Sequence, residues 1–240
     1  FKTIQDALNV AESNDYVYVK GQTFMQSKQI YWLPGSGVKL RGGYQGIGSP
    51  GPCDPAAWPT LVRRANTAVN HRLLAMRGVT GGLLYGITFT NGYPYGPHPG
   101  GSGGGVFAAS CVNLTVEACT IVTNRIRHDT GNGGDIYGVG LFVSGGSGTI
   151  TNCMFKDNRG ETISVSTYAY CNGGGISLMD GTWQVKNCWF LDNRMQSDYN
   201  VGWSRGAGIH IFSGRQTISS CVFRNNQCWS GRNRVGDGIF

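Results

Sequence analysis

The sequence predicts an all-β fold: a right-handed parallel β-helix, a type of solenoid, with a short N-terminal capping α-helix. The prediction rests on two repeated motifs and on a composition rich in glycine and poor in charge. Of the 240 residues, 39 are glycine and 14% are charged. Such a composition suits short strands and tight turns better than helices. The glycines are interspersed with apolar residues, which excludes collagen and disordered low-complexity sequence.

The two motifs recur in phase along the second half of the chain. The first is Gly-x-Gly followed by an apolar residue, and its copies are 35, 35, 33 and 30 residues apart. These copies begin at Gly103, Gly138, Gly173, Gly206 and Gly236. The second motif carries a cysteine and, further on, an asparagine. These pairs are Cys119 with Asn124, Cys153 with Asn158, Cys188 with Asn193, and Cys221 with Asn226. Two motifs that keep one phase through four periods indicate stacked repeats.

Each repeat combines a fixed coil of roughly 22 residues with a variable loop on one side, as is usual in solenoids. Alternation within the coil directs Ile150, Cys153 and Phe155 towards one interior. Stacking then pairs every strand with the coils above and below it. We expect the four motif cysteines to form a column of buried, reduced thiols. We expect the four motif asparagines at a bend, where asparagine tolerates left-handed backbone and where stacked amides bond along the axis.

The opening of the chain differs from the repeats. Thr3 is a plausible N-cap, and Ile4, Ala7 and Leu8 lie on one helical face. We therefore predict one β-helix domain over residues 1–240. It has a cap and first strand at 1–20, irregular early coils at 21–102 and regular repeats with one-sided loops at 103–240. Because the last residues begin a new coil, we expect a fragment of a longer chain, or end-to-end self-association.

Two segments resemble known families. The opening Phe1-Lys-Thr-Ile-Gln-Asp-Ala-Leu, with the following Val17-Tyr-Val-Lys-Gly, resembles the first segment of pectate-lyase-like β-helix proteins. The paired Gly-Gly-x-apolar and Phe-x-x-Asn motifs resemble the repeats of polymorphic outer membrane proteins, a family of autotransporter adhesins. Residues 46–80 match poorly, and Ile121 replaces the first Phe. The resemblance implies a secreted or cell-surface protein with an adhesive or structural role, and it supplies no catalytic residue.

The variable loops are rich in aromatic residues and arginine. Aromatic faces beside guanidinium groups suit a glycan or a surface protein as partner. The alternative is that these loops pack on one another and shield the sheet beneath. We expect the candidates to lie on one continuous side of the solenoid. They are Tyr93, Tyr95, Tyr168, Tyr170, Tyr199, Trp203, Arg125, Arg159 and Arg194.

The net charge of +7 is uneven, because residues 61–78 contain Arg63, Arg64, Arg72 and Arg77 and no acid. One basic patch there would attract acidic polysaccharide, a membrane surface or nucleic acid, and the simpler explanation is a solvated face. No nucleic-acid-binding motif accompanies the charge, so we predict no nucleic-acid partner. No apolar run is long enough to span a bilayer.

Catalysis is the alternative hypothesis, as a polysaccharide lyase or glycoside hydrolase acting on acidic glycans. Glycoside hydrolysis needs two neighbouring carboxylates. Asp157 and Asp192 occupy equivalent places, so stacking would bring them to about 5 Å. Arg159 and Arg194 follow them, and local charge compensation explains the two acids without catalysis.

Other catalytic and metal-binding patterns are missing from the sequence. A calcium-dependent lyase would need a cluster of acids, and none occurs. No Cys/His zinc spacing occurs either. His210 alternates with Ile209 and Ile211, so we expect it on the surface. We therefore predict no catalytic residue, no metal and no cofactor, and favour a non-catalytic binding module while the enzyme alternative stays open.

Overall fold

The structure, a computed structural model, describes residues 1–35, 37–65, 67–129, 134–163, 169–197, 202–230 and 233–240. One helix, Ile4–Val10, precedes a series of strands that are paired in parallel. The predicted N-cap is confirmed, because the Thr3 side chain accepts a hydrogen bond from the Asp6 N–H at 3.0 Å. The Gln5 amide exchanges two hydrogen bonds with the Tyr31 backbone, at 2.7 and 3.0 Å, and so attaches the helix to the first coil.

Three sheets form the main coil, in agreement with the predicted parallel β-helix. Sheet A contains Tyr16–Lys20, Lys39–Tyr44, Leu83–Tyr85, Leu114–Glu117, Ser147–Thr151, Thr182–Lys186 and Arg215–Ser219. Sheet B contains Thr23–Gln26, Thr60–Arg64, Ile87–Thr90, Thr120–Val122, Met154–Lys156, Trp189–Leu191 and Val222–Arg224. Sheet C contains Ile30–Trp32, Leu74–Arg77, Val106–Ala109, Leu141–Ser144, Ile176–Met179 and Ile209–Ile211.

The segments expected to be loops also form strands. Each leaves the main coil after sheet B and returns to sheet C. Sheet D contains Arg125–His128, Arg159–Thr162, Arg194–Ser197 and Gln227–Ser230. Sheet E contains Ile136–Tyr137, Tyr170–Asn172, Trp203–Arg205 and Asn233–Val235. The prediction of variable loops was therefore incomplete, because strands of two to four residues carry too little alternation to be recognised singly.

The solenoid has two apolar cores side by side. Inside sheets A to C, apolar residues at equivalent positions stack from coil to coil, and the rings of Phe155, Phe190 and Phe223 follow one another at 5.1 and 4.8 Å. The second core lies inside sheets D and E and includes Ile126, Ile136, Val139, Cys171, Met195, Ala207 and Cys228. Gly160 makes room in it, because a Cβ there would lie 2.7 Å from the Met195 Cε.

The asparagines form a continuous ladder at the junction of the two cores. The Asn158 Nδ2 donates to the Ile121 carbonyl at 2.9 Å and to the Asn193 Oδ1 at 3.0 Å. Its Oδ1 accepts from the Asn124 N–H and Nδ2 at 3.2 and 3.1 Å. Asn226 continues the series beyond Asn193. We expected left-handed backbone at the ladder asparagines, but the residue before each of them has it instead. Those residues are Thr123, Asp157, Asp192 and Asn225, with φ of 53–56°.

The cysteines of the motif also stack. Cys119, Cys153 and Cys188 are buried, and all eight cysteines of the chain are free. Burial raises the pKa of the Cys153 thiol well above its usual range, which makes this sulfur a poor nucleophile. Cys221 is only partly buried, contrary to the expectation, because the strand beside it is the outermost of sheet B.

Candidate binding groove

An open groove runs along the solenoid beside sheet D. It consists of two adjoining hollows of about 220 and 780 Å³, and both are lined by Tyr93 and Arg125. Arg159 and Arg194 extend the smaller hollow, and Arg63 belongs to the larger one. Four of these five side chains carry guanidinium groups, and Arg127 and Glu161, which also line the smaller hollow, form an ion pair, so the groove is basic.

Arg125, Arg159 and Arg194 form an arginine column on the outer face of sheet D. They are in register across three parallel strands, and Gln227 takes the next place. Parallel strands lie about 4.8 Å apart, so the charges follow one another at the rise of the solenoid. The next residues, Ile126, Gly160 and Met195, are buried on the side of the second core, so alternation directs the arginines outward.

The charges of the arginine column are unpaired in the part of the chain that the structure describes. The ion pairs found there join Arg127 to Asp129 at 3.4 Å and to Glu161 at 3.9 Å. Arg127 is the second outward residue of its strand, so Asp129 and Glu161 neutralise the column beside the arginine column. The arginine column is left exposed and available to an anionic ligand.

Tyr93 is held in place by an arginine beneath it. The Arg64 guanidinium lies 5.2 Å from the Tyr93 ring centre and donates to the carbonyls of Asn91, Thr67 and Val69 at 3.1–3.2 Å. Arg64 is only 6% exposed, and its burial lowers its pKa. It positions the tyrosine and does not add a free surface charge.

The expected basic patch over residues 61–78 is therefore divided. Arg72 is also buried, donates to the carbonyls of Pro99 and Gly100 at 2.7 and 2.8 Å, and stacks on Phe107. Its burial lowers its pKa to about 10. Proximity in sequence was misleading here, because Arg63 and Arg64 belong to sheet B whereas Arg72 and Arg77 lie at sheet C.

The described aromatic candidates divide between two faces: Tyr93 and Tyr95 lie beside the strands of sheet D, whereas Tyr170 and Trp203 belong to sheet E, so the expected single face is not found. The Tyr95 hydroxyl donates to the Asp129 carboxylate. Tyr170 and Trp203 pack on the Arg205 guanidinium at 5.1 and 4.9 Å, and neither lines the groove. Tyr168 and Tyr199 lie outside the described residues.

Asp157 and Asp192 occupy equivalent positions in adjacent coils, beside the paired residues Lys156 and Leu191. The Asp192 Oδ1 accepts a hydrogen bond from the Asn225 Nδ2 at 3.2 Å. Among the described residues neither acid pairs with Arg159 or Arg194, so the expected charge compensation is wrong. Left-handed backbone explains these residues better, because aspartate and asparagine tolerate it.

We expected His210 on the surface, but it is buried. It does point away from the main core, but Phe240 stacks on its ring at 5.8 Å and Tyr137 of sheet E lies at 6.3 Å. The Ser177 Oγ lies 3.3 Å from its Nδ1. Burial, and then the charge of Arg205, lower the pKa of His210 to about 4.

Sequence reasoning missed two features of this region. One is the neutralised column of Arg127 and Glu161, and the other is the fixation of Tyr93 by Arg64. The alternation in Arg125-Ile-Arg-His was a usable signal for the first, because it places two arginines on one side of a strand. No local pattern reveals the second contact.

Comparison with known proteins gives one family. The family described as "Right handed beta helix region" matches residues 9–239, and the chain belongs to it. The predicted handedness is thereby confirmed. Neither the curated proteins nor the solved structures contain a significant match.

Within the described ranges, no helix has the length and apolarity needed to cross a membrane. The same ranges contain no group of three or more His, Cys, Asp or Glu side chains that could hold a metal ion.

Proposed function

We propose that this chain is a non-catalytic binding module that holds an acidic glycan along the groove beside sheet D. The observation that carries the proposal is the arginine column, with three exposed guanidinium groups in register and no carboxylate partner among the described residues. An extended chain with repeated carboxylate or sulfate groups would meet one arginine in each coil. Tyr93 supplies a fixed aromatic face in the same groove.

We place the module outside the cell, secreted or on the cell surface. The resemblance of its motifs to those of polymorphic outer membrane proteins supports an adhesive role. The free thiols are compatible with an oxidising environment, because six of the eight are buried and only Cys53 and Cys221 are partly accessible.

Replacing the arginine column by glutamine should weaken glycan binding about a hundredfold. Each tenfold increase in Kd corresponds to a loss of roughly 1.4 kcal/mol of binding free energy. We suggest Arg125→Gln, Arg159→Gln and Arg194→Gln together, with polygalacturonate as the acidic probe and dextran as the neutral one. Calorimetry at low and high salt provides the measurement. Binding to the wild type should fall as salt rises, because the contacts are exposed and ionic.

Arg215→Gln is the matched control, since Arg215 is exposed on the outer face of sheet A. It should leave binding unchanged. Equal affinity for dextran, or full binding by the triple variant, would exclude the proposed groove. The same incubation should release no new reducing or unsaturated ends. Turnover that disappears in Asp157→Asn or Asp192→Asn would instead establish the polysaccharide-degrading alternative.

End-to-end self-association, in which the last coils of two copies meet, is a further part of the proposal. Its support is a set of exposed apolar side chains beside the last strands of sheets B and C: Phe212, Val222 and Phe240, which are 61, 47 and 42% exposed. Replacing Phe212 and Val222 by serine should lower the mass measured by light scattering at high concentration, because association would bury these groups. A wild-type protein that stays monomeric at every concentration would rule this out.

A further inference from the structure

A second surface, on sheet A, combines exposed tyrosines with cations. We call it the tyrosine–arginine surface, formed by Tyr16, Tyr18, Lys39, Arg41 and Tyr85. The first three strands of sheet A direct these side chains outward by alternation. Strand register places Tyr16 beside Lys39, and Tyr18 beside Arg41 and then Tyr85.

The side chains of the tyrosine–arginine surface are held by one another. The rings of Tyr16 and Tyr18 stack at 5.6 Å, and the Lys39 ammonium lies 5.3 Å from the Tyr16 ring centre. The Arg41 guanidinium lies 4.8 Å from the Tyr85 ring centre. A surface ordered in this way loses little side-chain entropy when it binds.

The two strand-edge tyrosines of this surface are exposed, whereas Lys39, Arg41 and Tyr85 are half-buried and the Lys39 Nζ donates to the Gly37 carbonyl. Tyr16 and Tyr18, which alternate along one strand, are 49 and 46% exposed. Within the ranges that the structure describes, neither Lys39 nor Arg41 forms an ion pair. Tyrosine and arginine are among the residues enriched where proteins bind each other most strongly.

A free strand edge borders the tyrosine–arginine surface. Tyr16–Lys20 is the outermost strand of sheet A and pairs only with Lys39–Tyr44 among the described strands. An open, largely apolar hollow of about 560 Å³ lies beside this edge, and Ile4, Val17 and Phe24 are part of its lining. The edge therefore offers unpaired backbone groups between an apolar hollow and a basic, aromatic face.

We propose that this edge binds an extended acidic segment of a partner protein, which adds as a further strand beside Tyr16–Lys20. Its backbone would pair with the strand edge, as in other cases of strand addition. Its side chains would alternate between two faces. The apolar ones would enter the hollow. The acidic ones would lie on the outer face, in line with Tyr16 and Lys39 and with Tyr18 and Arg41, and would bind the two cations.

The strand edge favours a polypeptide over a glycan, because a polysaccharide has no backbone amides to pair with it. Charge argues against a second copy of this chain. The last strand of sheet A, Arg215–Ser219, presents outward Arg215, Thr217 and Ser219, none of which is acidic. The partner needed here alternates apolar and acidic residues.

A fluorescein-labelled peptide of alternating valine and glutamate tests the proposal by anisotropy. The wild type should bind it, and Arg41→Gln should weaken binding about tenfold, equivalent to about 1.4 kcal/mol. Lys39→Gln, which removes the cation beside one ring and not between two, should weaken binding in the same direction and serves if Arg41→Gln folds poorly. N-methylation of alternate peptide bonds should abolish binding, because it removes backbone donors but no side chain.

Arg159→Gln is the control, because it lies in the groove of the proposed function and should leave peptide binding unchanged. A valine–lysine peptide should not bind. Failure of the valine–glutamate peptide to bind, or equal binding of the lysine peptide, would overturn the proposal. So would binding of polygalacturonate that depends on Arg41, because the surface would then be a glycan site. These peptide results do not depend on whether the arginine column binds a glycan, so the two proposals can fail separately.

Discussion

Asn158→Asp should destabilise the protein by about 4 kcal/mol or more at pH 7, the cost of losing two buried donations and burying a charge. In the wild type the Asn158 Nδ2 donates to the Ile121 carbonyl and to the Asn193 Oδ1. An aspartate would turn a charged oxygen towards these two acceptors. The side chain is fully buried, so water cannot relieve the repulsion. Urea unfolding of both proteins, followed by circular dichroism, measures the difference.

The effect of Asn158→Asp should shrink at low pH, because a protonated carboxyl can again donate one hydrogen bond. Asp157→Asn is the control with the opposite change at the adjacent position. Asn225 already occupies the equivalent place with φ of 54°, so this variant should stay within about 0.5 kcal/mol of the wild type. Equal stability of Asn158→Asp and the wild type at pH 7 would mean that the amide ladder contributes nothing.

Between pH 6.5 and 4 the free energy of unfolding should fall by on the order of 3 kcal/mol less in His210→Phe than in the wild type. Burial lowers the pKa of His210 to about 4 in the folded protein, from an ordinary 6.5. Between these two values the unfolded chain binds a proton that the folded chain does not. The contribution of His210 to stability is therefore complete above pH 6.5, declines as the pH falls, and is lost below about pH 4. The phenylalanine side chain cannot bind a proton, so this contribution is absent from the variant.

The comparison needs urea unfolding at several pH values for the wild type and for two variants. Ser177→Ala removes the hydroxyl that lies 3.3 Å from the His210 Nδ1 but leaves the ring buried. It should keep the wild-type pH dependence, because burial is the main cause of the lowered pKa. If His210→Phe lost stability on acidification as steeply as the wild type, His210 would not be the group that titrates.

The main coil was predictable because its signal is repeated. One Gly-x-Gly or one Cys-x-x-x-x-Asn means little, but both recur in phase, and each copy occupies the same corner in the structure. The interior positions of Ile150, Cys153 and Phe155 followed from alternation, and all three are buried. The N-terminal helix followed from its cap and apolar spacing.

The candidate site was only partly predictable. Arg125, Arg159 and Arg194 could be selected because the repeat aligns them, and the structure places them in one column. Tyr170 and Trp203 were grouped with them, yet they pack on Arg205. Sequence spacing shows which residues are equivalent in successive coils. It does not show which way a short strand turns.

The sequence alone determined the stacking: the period, the residues that repeat along the axis, and the parallel pairing that follows from them. Only the tertiary structure decided what covers the outer faces. His210 points away from the main core, as alternation requires, but sheet E and Phe240 cover it. Stacking depends on contacts between equivalent positions, which a repeat reveals. Coverage depends on contacts between unlike segments, and no periodicity encodes these.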